Sequence, residues 1–282
     1  MNPPRARKRF GQHFLVDRGI IAEIVNLISP QDNDHLVEIG PGRGALTRPL
    51  MATGVRLSVI EIDRDLAAIV AKEFSRRANF ELHLGDALEF DFASLSGDDQ
   101  IRVVGNLPYN IATALILRLI DQAPHIQDMT FMLQQEVVDR LAANPGSKDY
   151  GRLSIMVQSR AMVEPFFDVG PTAFEPPPKI TSTMVRITPQ NVGLSIGVLG
   201  HLEACVRTAF GQRRKTIRNT LGKRVDNDIL AACGIGAGQR PEEISVEAFV
   251  HLAQTIAADD SEQLEPIDAD PCAIQTSNTP TP

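Results

Sequence analysis

The chain has 282 residues, of which 43% are hydrophobic and 22% charged, an ordinary composition for a folded protein of about two domains. This composition excludes a collagen, a coiled coil and a wholly disordered chain. The three cysteines (Cys205, Cys233 and Cys272) are far apart and lack metal-ligand spacing, which excludes a disulfide scaffold and predicts free thiols in a reducing compartment. The net charge of −7, taken alone, argues against a nucleic-acid ligand.

The charge is distributed unevenly along the chain. Residues 257–282 contain six acidic residues and neither lysine nor arginine, so the rest of the chain has a net charge of only −1. Within that remainder, residues 201–224 carry seven lysines or arginines against one glutamate. The average charge therefore hides one basic segment and one acidic tail.

Nothing at the N-terminus predicts a membrane span or a secretory signal. A basic stretch (Arg5, Arg7, Lys8 and Arg9) is followed by polar residues rather than by an apolar signal core. The sequence also contains no apolar run of the ~18 residues that a spanning helix needs. We therefore expect a cytoplasmic protein with no membrane partner.

The first half of the chain alternates short apolar runs with helical patterns. Strands are predicted at residues 35–39, 56–60, 80–84, 102–105 and 129–133. Helices are predicted at residues 45–52, 64–74 and 111–120. This alternation indicates an α/β fold with a mostly parallel sheet and helices on both faces. Ligands bind such sheets outside the carboxyl ends of the strands.

After Pro189 the strand-like runs stop. Helices are predicted at residues 197–222, 226–233 and 245–257, and the last 24 residues have the composition of a disordered segment. The predicted organisation is an α/β domain at residues 1–190 with a basic N-terminal arm, an all-α domain at 191–258 and an acidic tail at 259–282.

A glycine-rich turn follows the first predicted strand. Glu38 is the next-to-last residue of that strand, and Gly40, Gly42 and Gly44 follow it, so the backbone can approach a ligand without an obstructing Cβ. The N-terminus of the next helix supplies unpaired N–H groups. The turn also matches the dinucleotide-binding pattern, so it does not by itself distinguish NAD from S-adenosylmethionine.

Two acidic residues follow the next two predicted strands. Glu61 lies 21 residues after Gly40, where a carboxylate accepts hydrogen bonds from ribose hydroxyls. Both NAD and S-adenosylmethionine contain that ribose, so Glu61 leaves the cofactor open. Asp86, after the third strand, could accept a hydrogen bond from an adenine amino group.

The sequence Asn106-Leu107-Pro108-Tyr109 follows the fourth predicted strand and indicates amine methylation. The lone pair of an exocyclic adenine amine is delocalised into the ring. Two acceptors for the amino hydrogens, the Asn106 side chain and a carbonyl on the stiff Pro108 backbone, would favour a tetrahedral nitrogen in the transition state. The Tyr109 ring offers a face for base stacking.

Seven motifs together resemble the ribosomal RNA adenine dimethyltransferase family. They are, in chain order, FGQHFL (10–15), VEIGPG (37–42), VIEID (59–63), GDA (85–87), GNLPYN (105–110), FEPPPK (174–179) and AFGQRRKTIR (209–218). The resemblance covers residues 5–257 and is greatest to the branch that modifies two adjacent adenines near the 3′ end of small-subunit ribosomal RNA. It implies a class I S-adenosylmethionine-dependent methyltransferase domain, of the Rossmann-like type, followed by a smaller all-α domain.

The resemblance also implies roles for individual residues. His13 and Leu15 would contact the methionine side of S-adenosylmethionine, and Phe174 would stack on the flipped target adenine opposite Tyr109. The family usually has asparagine where His13 stands. Both side chains can present a donor and an acceptor, so the substitution leaves cofactor binding expected and adds a titratable group.

The basic segment at residues 201–224 is predicted to bind ribosomal RNA, because charge pairing with phosphates supplies much of nucleic-acid affinity. Its predicted RNA-contacting residues are Arg213, Arg214, Lys215, Arg218, Lys223 and Arg224. His83, His125, His201 and His251 form no cluster, so no metal site is predicted. The expected partner is small-subunit ribosomal RNA in a pre-ribosomal particle, bound by a monomer. The alternatives are a large-subunit ribosomal RNA methyltransferase that confers antibiotic resistance, a DNA adenine methyltransferase and a non-catalytic assembly factor.

Overall fold

The computed structural model describes residues 12–97, 99–212, 214–222 and 225–262. The strands are β1 (Phe14–Leu15), β2 (His35–Ile39), β3 (Arg56–Glu61), β4 (Phe80–Leu84), β5 (Ile101–Asn106), β6 (Ile126–Gln134), β7 (Ala161–Val169), β8 (Phe174–Glu175) and β9 (Ser182–Pro189). The helices are α1 (Arg18–Ile28), α2 (Thr47–Ala52), α3 (Arg64–Phe74), α4 (Ala112–Asp121), α5 (Gln135–Leu141), α6 (Arg152–Gln158), α7 (Ile196–Phe210), α8 (Ile217–Leu221), α9 (Asn227–Ala232) and α10 (Val246–Glu262). None of these helices is both long enough and apolar enough to span a membrane.

Seven strands form one sheet in the order β4-β3-β2-β5-β6-β9-β7. The five strands from β4 to β6 are parallel, and β9 and β7 continue the sheet in antiparallel pairing. The predicted α/β class with a mostly parallel sheet is confirmed, and the five predicted strands are β2 to β6. The sequence patterns did not predict β7 and β9. Strand β7 is an edge strand that contains Pro165, a residue confined to edges and bulges because it cannot donate to a ladder.

The centre of the sheet is buried on both faces. Every residue of β2 is buried, and so are five of the six residues of β3 and of β5. One face packs with α4 around Leu115 and Leu119, and the other packs with α1 around Ile24 and Ile28. Strands covered on both faces are the continuous apolar runs from which the sequence predicts them.

The C-terminal helices form a second core. This core contains Leu202 and Val206 of α7 and Phe249 of α10. They pack with Tyr150 and Ile155, which lie between β6 and β7 in the chain. The second core therefore contains residues from both sides of the predicted domain boundary at residue 190. The division into domains remains a prediction.

Two predicted boundaries in this region differ from the structure. The helix predicted over residues 197–222 is two helices, because α7 ends at Phe210 and α8 begins only at Ile217. Helix α10 continues to Glu262, so residues 259–262 of the predicted tail are helical. The rest of that tail and the basic N-terminal arm lie outside the described residues.

A buried hydrogen bond within the second core joins the chain before α6 to the chain before α10. The Tyr150 hydroxyl donates to the Ile244 carbonyl oxygen over 2.8 Å. We expect Tyr150→Phe to lower the free energy of unfolding by about 1–3 kcal/mol, because a buried carbonyl loses its partner. Urea denaturation measures the change. Tyr109→Phe is the matched control, since its hydroxyl is only half-buried and lies 3.3 Å from the Ser182 oxygen. Equal losses in the two variants would contradict the expectation.

Candidate active site

A cavity of about 340 Å³ lies at the carboxyl ends of β2, β3 and β5. Its walls are the segment before α1, the glycine-rich turn, and the residues that follow β3, β4 and β5. The cavity brings together His13, Leu15, Glu38, Gly40, Gly42, Glu61, Asp86, Asn106, Pro108 and Tyr109. Phe174 is the one predicted cofactor or catalytic residue that does not line it. Their meeting in one place follows from the parallel sheet, whose carboxyl ends share an edge.

The glycine-rich turn requires glycine for conformational reasons. Gly40, Gly42 and Gly44 have φ angles of +67°, +56° and +79°, in the left-handed region that other residues avoid. A Cβ at Gly42 would also lie 3.1 Å from the Phe14 ring. The turn can therefore sit directly beneath the segment that contains Phe14.

Arg43, at the tip of this turn, links it to two other segments. Its guanidinium lies 4.3 Å from the centroid of the Phe14 ring, and its Nη1 atom lies 3.7 Å from a carboxylate oxygen of Glu175. Sequence reasoning did not select Arg43. A cation inside a glycine-rich turn was the signal that could have found it.

Two buried carboxylates stand at neighbouring strand ends. Glu38 is 2% exposed and accepts a hydrogen bond of 2.7 Å from the Thr47 hydroxyl; burial raises the pKa of Glu38 to about 7. Glu61 is 5% exposed, and burial likewise raises its pKa. The main-chain N–H of Asp63 donates to Glu61 over 2.8 Å and partly offsets that effect. Thr47, in the first turn of α2, is a functional neighbour that sequence reasoning missed.

Asp86 lies in the turn after β4. Its Oδ1 atom accepts a hydrogen bond of 2.9 Å from the Leu88 N–H, which holds the turn, and its carboxylate lines the cavity. Ile62 lines the same part of the site with a half-exposed apolar side chain. An apolar residue between the two acids Glu61 and Asp63 was the sequence signal for it.

The end of β5 is tied to the segment before α1. The Asn106 side-chain nitrogen donates to the main-chain oxygen of His13 over 3.1 Å, which fixes the orientation of the amide. The Asn106 Oδ1 atom has no hydrogen-bond partner within the part of the chain that the structure describes. Leu107, 1% exposed, anchors the loop through its N–H, which donates to the Met132 oxygen over 3.3 Å.

The His13 imidazole faces the same loop. Its ring and the Tyr109 ring are 6.1 Å apart between centroids, with 26° between their planes. The His13 Nδ1 atom lies 2.8 Å from the Pro176 carbonyl oxygen. His13 therefore connects the segment before α1, the loop after β5 and the segment after β8.

Phe174 does not occupy the predicted position opposite Tyr109. It is 4% exposed, pairs with Leu15 between β8 and β1, and packs in the core with Ile24. The antiparallel β1–β8 pairing turns Phe174 inward. In this structure the ring stabilises the core, and no face of it is presented to the cavity.

The described residues of the basic segment are not among those that line the cavity. Arg214 and Lys215 are exposed between α7 and α8, and Arg218 is exposed in the first turns of α8. Arg213, Lys223 and Arg224 lie outside the described residues. Within those described residues no group of three or more His, Cys, Asp or Glu could hold a metal ion.

The fold and the cavity define the class of protein. A mostly parallel seven-stranded sheet carries a glycine-rich turn after β2, an acid as the last residue of β3, an acid after β4, and Asn-Leu-Pro-Tyr beginning at the last residue of β5. These are the features of an S-adenosylmethionine-dependent methyltransferase. The family model "Ribosomal RNA adenine dimethylase" matches residues 4–258. The chain therefore belongs to the ribosomal RNA adenine dimethylase family.

Individual relatives and solved structures agree with that family. A ribosomal RNA small subunit methyltransferase A of Pseudomonas putida is 52% identical over 256 residues, which span 90% of this chain and 96% of the relative. The protein of the same name from Pseudomonas aeruginosa is 51% identical over 261 residues, spanning 90% and 95% of the two chains. A dimethyladenosine transferase from Plasmodium falciparum is similar in structure, with a TM-score of 0.75, 26% identity, and coverage of 88% and 98%. The 23S ribosomal RNA methyltransferase ErmE has a TM-score of 0.67, 26% identity, and coverage of 86% and 99%.

We expect Asp86→Ala to weaken S-adenosylmethionine binding roughly ten- to hundredfold, because a hydrogen bond to a charged acceptor contributes about 1.5–3 kcal/mol. Calorimetry measures the affinity. Asp91→Ala is the matched control: Asp91 holds a similar turn by accepting from the Ala93 N–H over 3.1 Å, but it is exposed and outside the cavity. Unchanged affinity in Asp86→Ala would remove Asp86 from the cofactor site.

Proposed function

We propose that this protein dimethylates the exocyclic amino groups of two adjacent adenines near the 3′ end of small-subunit ribosomal RNA. The observation that carries the proposal is the Asn106 amide, held at the cavity with its oxygen unengaged by the described residues. The small-subunit assignment is supported by the 52% identity to a small-subunit enzyme, against 26% identity to the large-subunit enzyme ErmE.

The cavity residues suit S-adenosylmethionine, which supplies an electrophilic methyl group on a positively charged sulfur. We assign Glu61 to the ribose hydroxyls and Asp86 to the adenine amino group. His13 and Leu15 would contact the methionine side, and Gly40 and Gly42 would let the backbone approach the cofactor. Glu38 would order the glycine-rich turn through its hydrogen bond to Thr47, in the first turn of the following helix.

Asn106 would accept a hydrogen bond from the target amine through its Oδ1 atom. A second acceptor is needed, and the Pro108 oxygen already accepts from the Ile111 N–H over 3.2 Å. The Leu107 oxygen accepts no main-chain hydrogen bond from the described residues. We therefore assign the second acceptor to Leu107, one residue earlier than the sequence analysis placed it. The pair strengthens its contacts as the nitrogen becomes tetrahedral, which lowers the barrier rather than the ground state.

Tyr109 would stack on the target adenine, a contact worth ~1–3 kcal/mol per base. Holding the base in line with the methyl group replaces a bimolecular encounter by a positioned one. Because each adenine receives two methyl groups, the site has to admit a monomethylated amine as well as the free amine. This chemistry requires neither a covalent enzyme intermediate nor a metal.

The proposed partner is small-subunit ribosomal RNA within a pre-ribosomal particle, bound by a monomer in the cytoplasm. The exposed cations Arg214, Lys215 and Arg218 support a contact with RNA phosphates. Mapping methylated adenines in ribosomal RNA from deletion and rescued cells tests the function. Methylation of large-subunit RNA, or of neither RNA, would contradict the proposal and favour a resistance methyltransferase or a non-catalytic assembly factor.

We expect Asn106→Ala to lower the methyl-transfer rate about 10²–10³-fold, the typical effect of removing one preorganised transition-state group. RNA affinity should change far less, because the amine contact strengthens only in the transition state. Single-turnover kinetics on small-subunit particles measure the rate. Asn79→Ala is the control for folding, since Asn79 also donates its amide to a main-chain oxygen, that of Val55, over 2.8 Å. A near-normal rate in Asn106→Ala would leave Asn106 as a turn residue.

We expect Arg213→Ala, Arg214→Ala and Lys215→Ala together to weaken binding to small-subunit particles and to flatten its salt dependence by up to about one unit of slope per lost phosphate contact. Cofactor affinity should not change, because the described members of the set do not line the cavity. Affinity at several salt concentrations is the measurement.

Two control variants accompany that triple change. The first control is Lys72→Ala, Arg76→Ala and Arg77→Ala, which removes three exposed cations in and after α3 and should leave the slope nearly unchanged. Truncation after Glu262, where α10 ends, removes three acidic residues and no lysine or arginine, and should leave binding unchanged or tighter. If both triple variants lose slope equally, the basic segment is no more than a solvated surface.

A further inference from the structure

The His13 side chain faces the loop after β5. Its Nδ1 atom lies 2.8 Å from the Pro176 carbonyl oxygen, and because a carbonyl oxygen only accepts hydrogen bonds, Nδ1 carries the proton and is the donor. The imidazole ring is parallel to the Tyr109 ring to within 26°, and the two centroids are 6.1 Å apart. Both side chains are half-buried and line the cavity. The hydrogen bond to Pro176 therefore holds the imidazole with one face towards Tyr109.

The main chain of the same residue is tied to Asn106. The Asn106 side-chain nitrogen donates to the His13 oxygen over 3.1 Å, which leaves the amide oxygen for the target amine. In the proposed function, Tyr109 stacks on the base that carries this amine. His13 contacts Asn106 through its main chain and faces Tyr109 through its ring, so a base held by those two residues lies beside the imidazole.

The other rings near the cavity are not available to the second face of that base. Phe174 is 4% exposed, pairs with Leu15 and is not part of the lining. Among the described residues that line the cavity, the aromatic rings are those of His13, Phe14 and Tyr109. Phe14 is buried, and the Arg43 guanidinium lies over its ring at 4.3 Å. His13 is therefore the ring that remains.

We propose that the target adenine is held between the Tyr109 and His13 rings. The imidazole takes the position opposite Tyr109 that the family resemblance assigned to Phe174. The inference rests on the proposed function, and it moves the His13 ring from the methionine side of the cofactor to the target base. Leu15 remains on the methionine side. A monomethylated adenine is as flat as adenine itself, so the same pair of rings can hold the base for both methyl transfers.

The spacing of the two rings is close to what a base requires. Successive bases along a duplex strand are ~3.4 Å apart, so a base between two rings needs about 7 Å. The present centroid distance is 6.1 Å, so the rings have to separate by at least about 1 Å. Tyr109 is the ring that can move, because its hydroxyl is held only by a contact of 3.3 Å with the Ser182 oxygen. His13 stays in place through its shorter bond to Pro176.

The test compares the full-length wild type with His13→Asn in two measurements. Asparagine can still donate to the Pro176 oxygen but has no ring. We expect single-turnover methyl transfer to small-subunit particles, at particle concentrations below saturation, to be about tenfold slower, because one stacked face of the base is lost. Calorimetry should show S-adenosylmethionine affinity nearly unchanged, since the ring contacts the base and not the cofactor.

Two further variants separate the ring from the hydrogen bond and from the fold. His13→Phe keeps a ring and loses the donor to Pro176, and should recover most of the rate that His13→Asn loses. His83→Asn is the matched control. The His83 ring also packs on an aromatic ring, that of Phe90, with centroids 5.2 Å apart, but it lies outside the cavity lining. Its rate should equal that of the wild type.

Three results would overturn the proposal. They are a wild-type rate in His13→Asn, equal losses of rate in His13→Asn and His13→Phe, and a loss of cofactor affinity in His13→Asn large enough to account for its slower transfer. The last result would return the imidazole to the methionine side. In each case an active wild type leaves the proposed function standing. If the wild type itself transfers no methyl group to small-subunit RNA, the proposed function fails as well.

Discussion

In-register parallel pairing of the first four strands of the sheet is the constraint on which the site depends. Ile39 of β2 pairs with Ile60 of β3, and Glu61 of β3 pairs with Leu84 of β4. The turns that follow these strands therefore emerge side by side at one edge. Gly105 shows how tight the arrangement is, since a Cβ there would lie 2.6 Å from the Ile39 oxygen. Asn106 can follow directly only because its predecessor has no side chain.

The sequence predicts the strands that local patterns define. It does not predict the strands that depend on contacts between residues far apart in the chain. Strands β2, β3, β5 and β6 are mostly buried, and β4, which is only partly buried, alternates apolar with polar residues. All five lie between turn residues, so local patterns in the sequence predict them. Strand β7 lies at a sheet edge, contains Pro165 and is buried only at its first and last residues, and β1 and β8 have two residues each. Such short strands exist only because they pair with each other across the chain. No local pattern in the sequence encodes that pairing.

Most of the residues predicted for the site line one cavity for a related reason. Glycine turns and acids at strand ends are local signals in the sequence. The parallel sheet places these residues side by side around one cavity. The contacts that join the cavity walls connect residues far apart in the chain. Asn106 donates to the main-chain oxygen of His13, and His13 lies beside Pro176. Phe174 shows the limit of local signals. Its motif predicts a ring that stacks on the target base, but the pairing of Phe174 with Leu15 buries the ring. Sequence identifies which segment reaches the site, but the direction of a side chain depends on tertiary pairing.

The second core has a consequence for how such proteins diversify. Tyr150 and Ile155, from the chain between β6 and β7, pack in one cluster with Leu202, Val206 and Phe249. The C-terminal helices are therefore not an interchangeable module that evolution or recombination could exchange at residue 190. A helical unit from another member of the family would arrive without the residues against which it packs. A viable exchange has to carry the stretch around Tyr150 with the helices, so the C-terminal helices and this part of the preceding chain are inherited together.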